Sequence, residues 1–479
     1  MPTMNNRRLF LLVFSVVLLS RLPFLDAGFG NDPDGWRVAT TARYIATNGE
    51  YYASRFPGFP VVELICALVW KHGALAMNFL TALVSAVAVG MLSLIAKHYA
   101  CKDAILLALT FAFTPIVFIN STITMDYLWA VMLVMLSWYA GLKGKPISAG
   151  LLLGVAVGCR ITTAAIALPF ALLFFEKSNW KSSIIVIVKY WIATGVVMII
   201  VFVPVFHVYG LQFFTFFDQG LPPFYIIARY LTVDIWGVVG AIAVASIPVL
   251  MLLNRKKNSV SSIPKTISPG PVNMWIAVLI LFVIEFIANP REGAYLIPAI
   301  PFFLLLTARY IPRVQYITVC LFIIISSFVV SIDSADRPWN PEPSRCAVKI
   351  NIKERTILVD FLRGSIFTDY FQRLKRIEYT KKVIQAGDNL KEPSVVIVGV
   401  WLSYIIEMTP NAMPESEFPD YLLKRGIVEY IPLLTPEYLS RYRQEGRRMY
   451  YIFTVDQHNM DVTMLDIKQA GAVELKLEK

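Results

Sequence analysis

LFLLVFSVVLLSRLPFLDAGFGNDPDGWR, residues 9–37, runs from a wholly apolar segment straight into two aspartates, Asp32 and Asp34. A basic start, Arg7 and Arg8, precedes the apolar run. Such a segment is either a cleavable signal or a first membrane helix. No small-x-small cleavage site follows it, because the stretch after Ser20 is bulky and acidic, so it reads as a retained helix. That reading sets the fold, since apolar runs of similar kind recur as far as residue 332.

The composition agrees. The chain has 479 residues, 57% of them hydrophobic and 16% charged. A soluble domain is about 45–50% apolar and about 25% charged. The net charge of +11 would suggest nucleic acid in a soluble protein. Here the basic residues sit in short loops between apolar runs, which is a topology signal, and no nucleic-acid partner is expected. Four of the five cysteines, Cys66, Cys101, Cys159 and Cys320, lie in or beside apolar runs, and no cysteine pair has metal or redox spacing. The four histidines are scattered, and none is assigned to a metal.

A crossing helix needs about 20 apolar residues. On that rule spans fall near 8–25, 74–96, 104–122, 124–141, 147–159, 161–175, 186–208, 234–253, 273–289, 292–309 and 314–332, about eleven in all. The short pair 147–159 and 161–175 could be two half-helices of one folded pair. The run 58–70 is too short to cross and is expected on the surface. With the N-terminus inside, the inner loops carry Arg7, Arg8, Lys97, Lys102, Lys143, Lys145, Lys177, Lys181, Arg255, Lys256, Lys257, Lys265 and Arg313. The only acids among them are Asp103 and Glu176. Span count and positive-inside bias therefore agree, and an odd count puts the C-terminus outside.

Residues 333–479 change character: apolar runs shorten and charge rises. SVVIVGVWL (394–402), GIVEYIPLL (426–434), MYYIFTV (449–455) and AVELKL (472–477) read as strands. TPEYLSRYRQEG (435–446) and HNMDVTMLDIKQAG (458–471) read as helices, the first with Thr435 as N-cap and Gly446 at its end. The fold class expected is thus a polytopic α-helical membrane protein, residues 1–332 with an outer loop 26–73, followed by a soluble extracytoplasmic α/β domain, 333–479. No glycine-rich phosphate loop marks that domain as nucleotide-binding.

The outer loop carries the most specific pattern. After Asp32-Pro33-Asp34, residues 35–47 can form a helix in the membrane interface, with Trp36, Tyr44 and Ile45 toward lipid and Arg37 and Arg43 toward headgroups. RFPGFP (55–60) is a rigid turn. This arrangement resembles the GT-C superfamily of membrane glycosyltransferases, in the branch of protein O-mannosyltransferases and the lipid A aminoarabinose transferase. In that branch the acidic pair of the first outer loop includes the catalytic residue, an Asp followed four positions on by an aromatic, which selects Asp32 with Trp36. RFPGFP is similar to the family's Arg/Pro/Gly-Pro segment and gives Arg55. TMDYLWA (124–130) resembles its Asp at the outer end of the fourth span and gives Asp126. GLLLGVAVGCRITTAAIALP (150–169) looks like its glycine-rich hairpin before a basic residue and gives Arg160. NPREGAYLIPAIPFF (289–303) is similar to its Arg-Tyr-x-x-Pro-x-x-Pro motif and gives Arg291 and Tyr295, with residues inserted between them here. The resemblance covers about 1–332.

The chemistry has its own logic. Nucleotide sugars are made in the cytoplasm, so an outward-facing transferase would use a sugar on polyprenyl phosphate. That phosphate leaves readily and needs cations to hold its developing charge. Arg55, Arg160 and Arg291 all fall on the expected outer side, and a guanidinium fork suits phosphate oxygens. An acceptor hydroxyl on a glycan, lipid or protein needs a carboxylate base within about 3 Å. Asp32 is the candidate, with Asp126 orienting it or the acceptor, and in-line attack would invert the anomeric centre. Asp34 binds acceptor or a metal, or simply caps a helix. No cofactor is expected, although a divalent metal at Asp32 and Asp34 is conceivable. Asp32 alone would read as a solvated loop carboxylate, and Arg160 alone as a snorkelling side chain. Glu285, within an apolar span, is a packing residue or a partner for an arginine. The aromatic loop 209–230 is an interfacial belt or a passage for lipid. The expected setting is a prokaryotic plasma membrane. The competing class is a transporter or lipid flippase, which would place charge near the midplane and show inverted repeats.

Overall fold

The computed structural model describes residues 4–214, 221–254, 261–264, 269–335, 337–352, 355–409, 412, 422–453 and 464–477. Each of the eleven apolar segments coincides with helix. They are α1 (Asn6–Arg21), α4 (Gly73–His98), α5 (Ala104–Ala112) with α6 (Pro115–Asn120), α7 (Tyr127–Leu142), α8 (Pro146–Cys159), a largely 3-10 stretch around α9 (Ala167–Phe170), α10 (Trp180–Tyr209), α12 (Val233–Asn254), α13 (Pro269–Ala288), α14 (Ile300–Tyr310) and α15 (Arg313–Ser326). A short α11 (Phe224–Leu231) precedes α12. Five helical stretches, Pro60–His98, Lys177–Phe213, Val233–Leu253, Pro269–Ala288 and Gly293–Tyr310, are long and apolar enough to cross a membrane. Several of the others among the described residues are 10–17 residues long, so helix length does not confirm a count of eleven crossings.

Between α1 and α4 lie α2 (Pro33–Asn48) and α3 (Pro60–Val69). The run 58–70 does not lie on the surface as its length suggested: Val62, Glu63, Cys66 and Ala67 of α3 are buried. The segments 146–159 and 161–174 are separated at Arg160, where the backbone turns extended, which agrees with the break between two short helices read from the sequence. α8 meets α10 along Gly150, Gly154 and Gly158, a small-residue stripe of the kind that lets apolar helices approach closely. A Cβ at Gly154 would lie 2.6 Å from the Val197 Cβ and 2.8 Å from the Thr194 carbonyl. Gly154→Val should therefore lower Tm in detergent by the equivalent of about 1–3 kcal/mol. Gly195→Ala meets nothing within 4 Å and should leave Tm unchanged or raise it, since Ala exceeds Gly in helix propensity by about 1 kcal/mol.

Among its described residues the C-terminal region contains two sheets. β1 (Ser331–Ser334), β3 (Arg355–Asp360) and β2 (Ala347–Ile352) form an antiparallel sheet in that order. A five-stranded sheet has the order β5 (Leu423–Arg425), β6 (Val428–Ile431), β4 (Ser394–Ile397), β7 (Arg448–Tyr451), β8 (Val473–Glu474) and is parallel apart from β5. The expected strands are shorter than read. The segment 394–402 turns at Gly399 into α17 (Leu402–Met408). α18 (Pro436–Gln444) has the expected Thr435 cap, its hydroxyl accepting from the Tyr438 N–H at 3.2 Å. α19 (Met464–Gln469) lies in the second expected helix, whose residues 458–463 fall outside the described ones.

The longest element there, α16 (Ser365–Asp388), has no counterpart in the sequence reading. It fastens this region to the helical bundle through Arg373, which is 2% exposed. Its guanidinium donates to the carbonyls of Phe24 at 3.2 Å and Thr122 at 3.1 Å and pairs with Asp369 at 3.0 Å. A buried cation held this way binds two polypeptide layers, because every donor left unmet would cost about 1–3 kcal/mol or more.

Candidate active site

The loop before α2 is pinned by a buried amide. Asn78 of α4 donates to the carbonyls of Leu25 and Gly28, each at 2.8 Å, and accepts from the Thr124 hydroxyl at 2.8 Å. The Thr124 N–H meets the Phe29 carbonyl at 3.1 Å. These bonds press residues 25–35 against residues 122–126 so closely that a Cβ at Gly35 would sit 2.4 Å from the Phe29 carbonyl. Glycine at 35 is what permits the approach.

Asp32 is the N-cap of α2, its carboxylate accepting from the Asp34 N–H at 2.9 Å, and Pro33 occupies the first turn. Asp34 Oδ1 takes Arg37 at 3.0 Å and Oδ2 takes Arg55 Nε at 2.9 Å. Arg55 Nη2 reaches Asp126 Oδ1 at 2.6 Å, and Arg160 Nη1 reaches Asp126 Oδ2 at 2.8 Å. Asp126 is fully buried and spends one oxygen on each arginine. Arg160 lies over the rings of Tyr127 and Tyr295, at 4.3 and 4.8 Å, and Arg55 lies over Phe59 at 3.9 Å. The Nη1 of Arg55 is buried with no protein partner.

The structure thus brings together Asp32, Asp34, Arg55, Asp126, Arg160 and Tyr295 from five separate stretches. Arg291 sits half-buried in the loop just before the 3-10 turn Gly293–Ala299 that carries Tyr295. The neighbour that reaches the centre is Glu292, which accepts from the Tyr127 hydroxyl at 2.5 Å. Asp32, Asp34 and Glu292 each place a carboxylate oxygen within 4.8 Å of the others, and together they could hold a cation. Both oxygens of Asp34 already face arginines, which compete with any metal there.

Electrostatics separates the carboxyls. Burial, then the nearby charges of Asp34 and Glu292, push the Asp32 carboxyl well above the ordinary carboxylate range. Burial and Asp34 raise Glu292 too, against the Tyr127 hydrogen bond that favours its charged form. Burial would drag Arg55 down, but the carboxylates of Asp34 and Asp126 outweigh it and hold the guanidinium charged.

Two further supports escaped the sequence. Glu63, fully buried, accepts from the Tyr51 hydroxyl, the Ser54 N–H at 2.8 Å, the Ser54 hydroxyl at 2.6 Å and the Phe59 N–H at 3.1 Å. It therefore shapes the turn that presents Arg55, and a carboxylate inside an apolar run was the available signal. The other support is the C-terminal region. Trp36 and Arg43 do not face lipid and headgroups as expected. Trp36 is 3% exposed, stacked on Tyr404 at 4.3 Å between ring centroids, with its Nε1 on the Gly30 carbonyl at 2.9 Å. Arg43 pairs with Glu407 at 3.0 Å, and Arg37 with Asp34. The Tyr404 hydroxyl donates to the Asn31 carbonyl at 2.6 Å, next to Asp32 itself.

No protein-family model matches the chain, and no curated protein matches it in sequence. Among solved structures it is similar to ArnT from Cupriavidus metallidurans in the apo state, with a TM-score of 0.50 and 11% identity over 82% of this chain and 83% of that one. The chain therefore shares the fold of ArnT, and the resemblance read from the sequence holds at the level of fold. With its apolar helices, that fold makes this an integral membrane protein.

Proposed function

We propose that this ArnT-like chain is an inverting glycosyltransferase that moves a sugar from a polyprenyl-phosphate donor to an acceptor hydroxyl at the outer face of the membrane. The observation that carries the reading is the arrangement of Arg55 and Arg160 on one buried carboxylate, Asp126, beside the carboxylate of Asp32. Two fixed cations at that spot can take the phosphate oxygens as the anomeric C–O bond breaks, with no reorganisation needed when charge appears. Arg55 Nη1, which is buried without a hydrogen-bond partner in the protein, is a donor left over for that task. Asp32 takes the proton of the acceptor hydroxyl as its oxygen attacks from the opposite side. Asp126 acts through the arginines and is a positioning residue.

An apolar groove close to Arg160 supports a lipid-linked donor. Ile161 follows Arg160 directly and lines an apolar groove of about 550 Å³ with Met198, Phe202 and Phe213. Prenyl carbons laid there would leave water, at about 0.8 kcal/mol per buried CH₂.

The test is donor turnover. The purified chain is offered a panel of polyprenyl-phosphate sugars with candidate acceptors, and release of free polyprenyl phosphate is followed. Release that depends on Asp32 supports the reading and names the sugar. No release from any donor would favour the transport class, to be tested by flux across proteoliposomes.

A further inference from the structure

The three-stranded sheet is rooted where helices leave the membrane. Only residues 327–330 separate α15 from β1. Ser326, at the end of α15, packs against Gly237 and Gly240 near the start of α12, a helix long enough to cross the bilayer. Val233, where α12 begins, lines one cavity with Ser331 and Ile332 of β1. The turn after α15 also holds the start of α16. The Gly364 N–H donates to the Phe328 carbonyl at 2.9 Å, and the Ile366 N–H to the Ser327 carbonyl at 3.3 Å. The sheet therefore begins at the level of the membrane surface.

Its polarity is the reverse of a sheet standing in water, which turns apolar residues inward and polar ones outward. Ile332 pairs across Val359 with Val348, and Ile350 pairs with Ile357, so these five aliphatics share one face. Ile332, Val348 and Ile350 are exposed there, and Ile357 and Val359 half-buried. Ser331 and Asp333 point the other way, onto α16, where the Thr368 hydroxyl meets Ser331 at 3.0 Å and the Gln372 amide meets Asp333. The end of the sheet nearest α15 is apolar too. Beyond Asp360, which pairs with Ser331, come Phe361 and Leu362, 50% and 62% exposed. Arg345 and Arg363 flank this tip. The Asp360 carboxylate is turned inward and accepts from the N–H groups of Ser344 at 2.9 Å and Leu362 at 3.1 Å. Residues 342–363 carry five basic side chains, Arg345, Lys349, Lys353, Arg355 and Arg363, against Glu342, Glu354 and Asp360. Across the cavity from β1, α11 exposes Phe224, Tyr225 and Leu231 just ahead of α12.

We propose that this tip and the aliphatic face of the sheet rest in the bilayer, at the boundary of headgroups and acyl chains, and anchor the C-terminal region to an anionic lipid surface. The basic excess suits that surface, and the exposed aliphatics leave water by entering it. The depth is bounded. β2 is an edge strand, and its unpaired backbone groups keep it out of the hydrocarbon interior.

The experiment uses the full chain in nanodiscs of phosphatidylcholine and phosphatidylglycerol. Cys346, beside the tip, is the exposed cysteine and the other four are buried, so the unaltered chain takes a fluorophore there. Phosphatidylcholine brominated near the headgroup end of its acyl chains should quench that probe strongly, and lipid brominated near the chain terminus less. That order is expected of an element resting about 5–10 Å into the boundary. Phe361→Asp combined with Leu362→Asp should abolish most of the quenching while leaving Tm in detergent unchanged, since both side chains are exposed. No quenching by either lipid, or quenching that the double variant keeps, overturns the proposal. A dimer seen by light scattering, which the double variant dissolves, overturns it too, because the face then belongs to a second copy of the chain.

Discussion

Asp32→Asn should lower kcat by about 10²–10⁴-fold, the range a positioned general base contributes. Asn keeps the cap on α2, because its side-chain oxygen can still accept from the Asp34 N–H, so the fold and Tm should change little. The pH profile makes the assignment sharper. On the proposed mechanism the base works ionised, and burial with Asp34 and Glu292 raises the Asp32 pKa above the ordinary carboxylate range. In the wild type kcat/KM should therefore climb with pH through that raised value and level off above it. Glu292→Gln removes one of the negative charges that raise Asp32, so the same limb should move to lower pH. A limb that stays in place in Glu292→Gln would remove Asp32 from the role of base.

The second large effect belongs to Asp126. Asp126→Ala leaves Arg55 and Arg160 without the carboxylate they share, and removing one partner of a buried ion pair costs about 3–5 kcal/mol. Tm in detergent should fall accordingly. Because the arginines also lose their aim, KM for the lipid-linked donor should rise while KM for the acceptor holds. Arg55→Lys separates geometry from charge. A lysine keeps the charge but cannot reach Asp34 with Nε and Asp126 with Nη2 at once, so donor KM should rise there with little loss of Tm. An unchanged donor KM in both variants would place the phosphate elsewhere.

How much of this was legible in the sequence depends on distance along the chain. The apolar segments are local patterns, and all eleven fall on helix, although several are shorter than a membrane is thick. Asp126 and Arg160 stand out as charged residues at the end of an apolar run, Asp32 and Arg55 as parts of the D-x-D and RFPGFP patterns of the outer loop, and the fold gathers them. Glu63 and Asn78 were hidden because each is an isolated strongly polar residue inside an apolar stretch, and only its partners show what it does. Trp36 was misplaced for a physical reason. An aromatic with a polar edge at a membrane boundary satisfies itself equally well in lipid headgroups or under another domain. Choosing between them requires knowing of Tyr404, 368 positions later. α16 went unread because its inward face carries Gln372 and Arg373 where an apolar stripe would be expected. Arg291 and Glu292 show the limit of motif matching. The motif's arginine is one position from the carboxylate that the fold brings to Asp32.

The bond from Tyr404 to the carbonyl of Asn31 also sets an order of events in biosynthesis. The two residues are 373 positions apart. A ribosome working at about 5–20 residues per second leaves the Asp32 loop waiting on the order of tens of seconds before its support is made. Until then Trp36 lacks the aromatic platform that orients it, and the helix that carries the base has no lid on its far side. On the proposed reading, the newborn chain should therefore stay inactive while its bundle inserts, and become active only when the last third of the chain has emerged and docked.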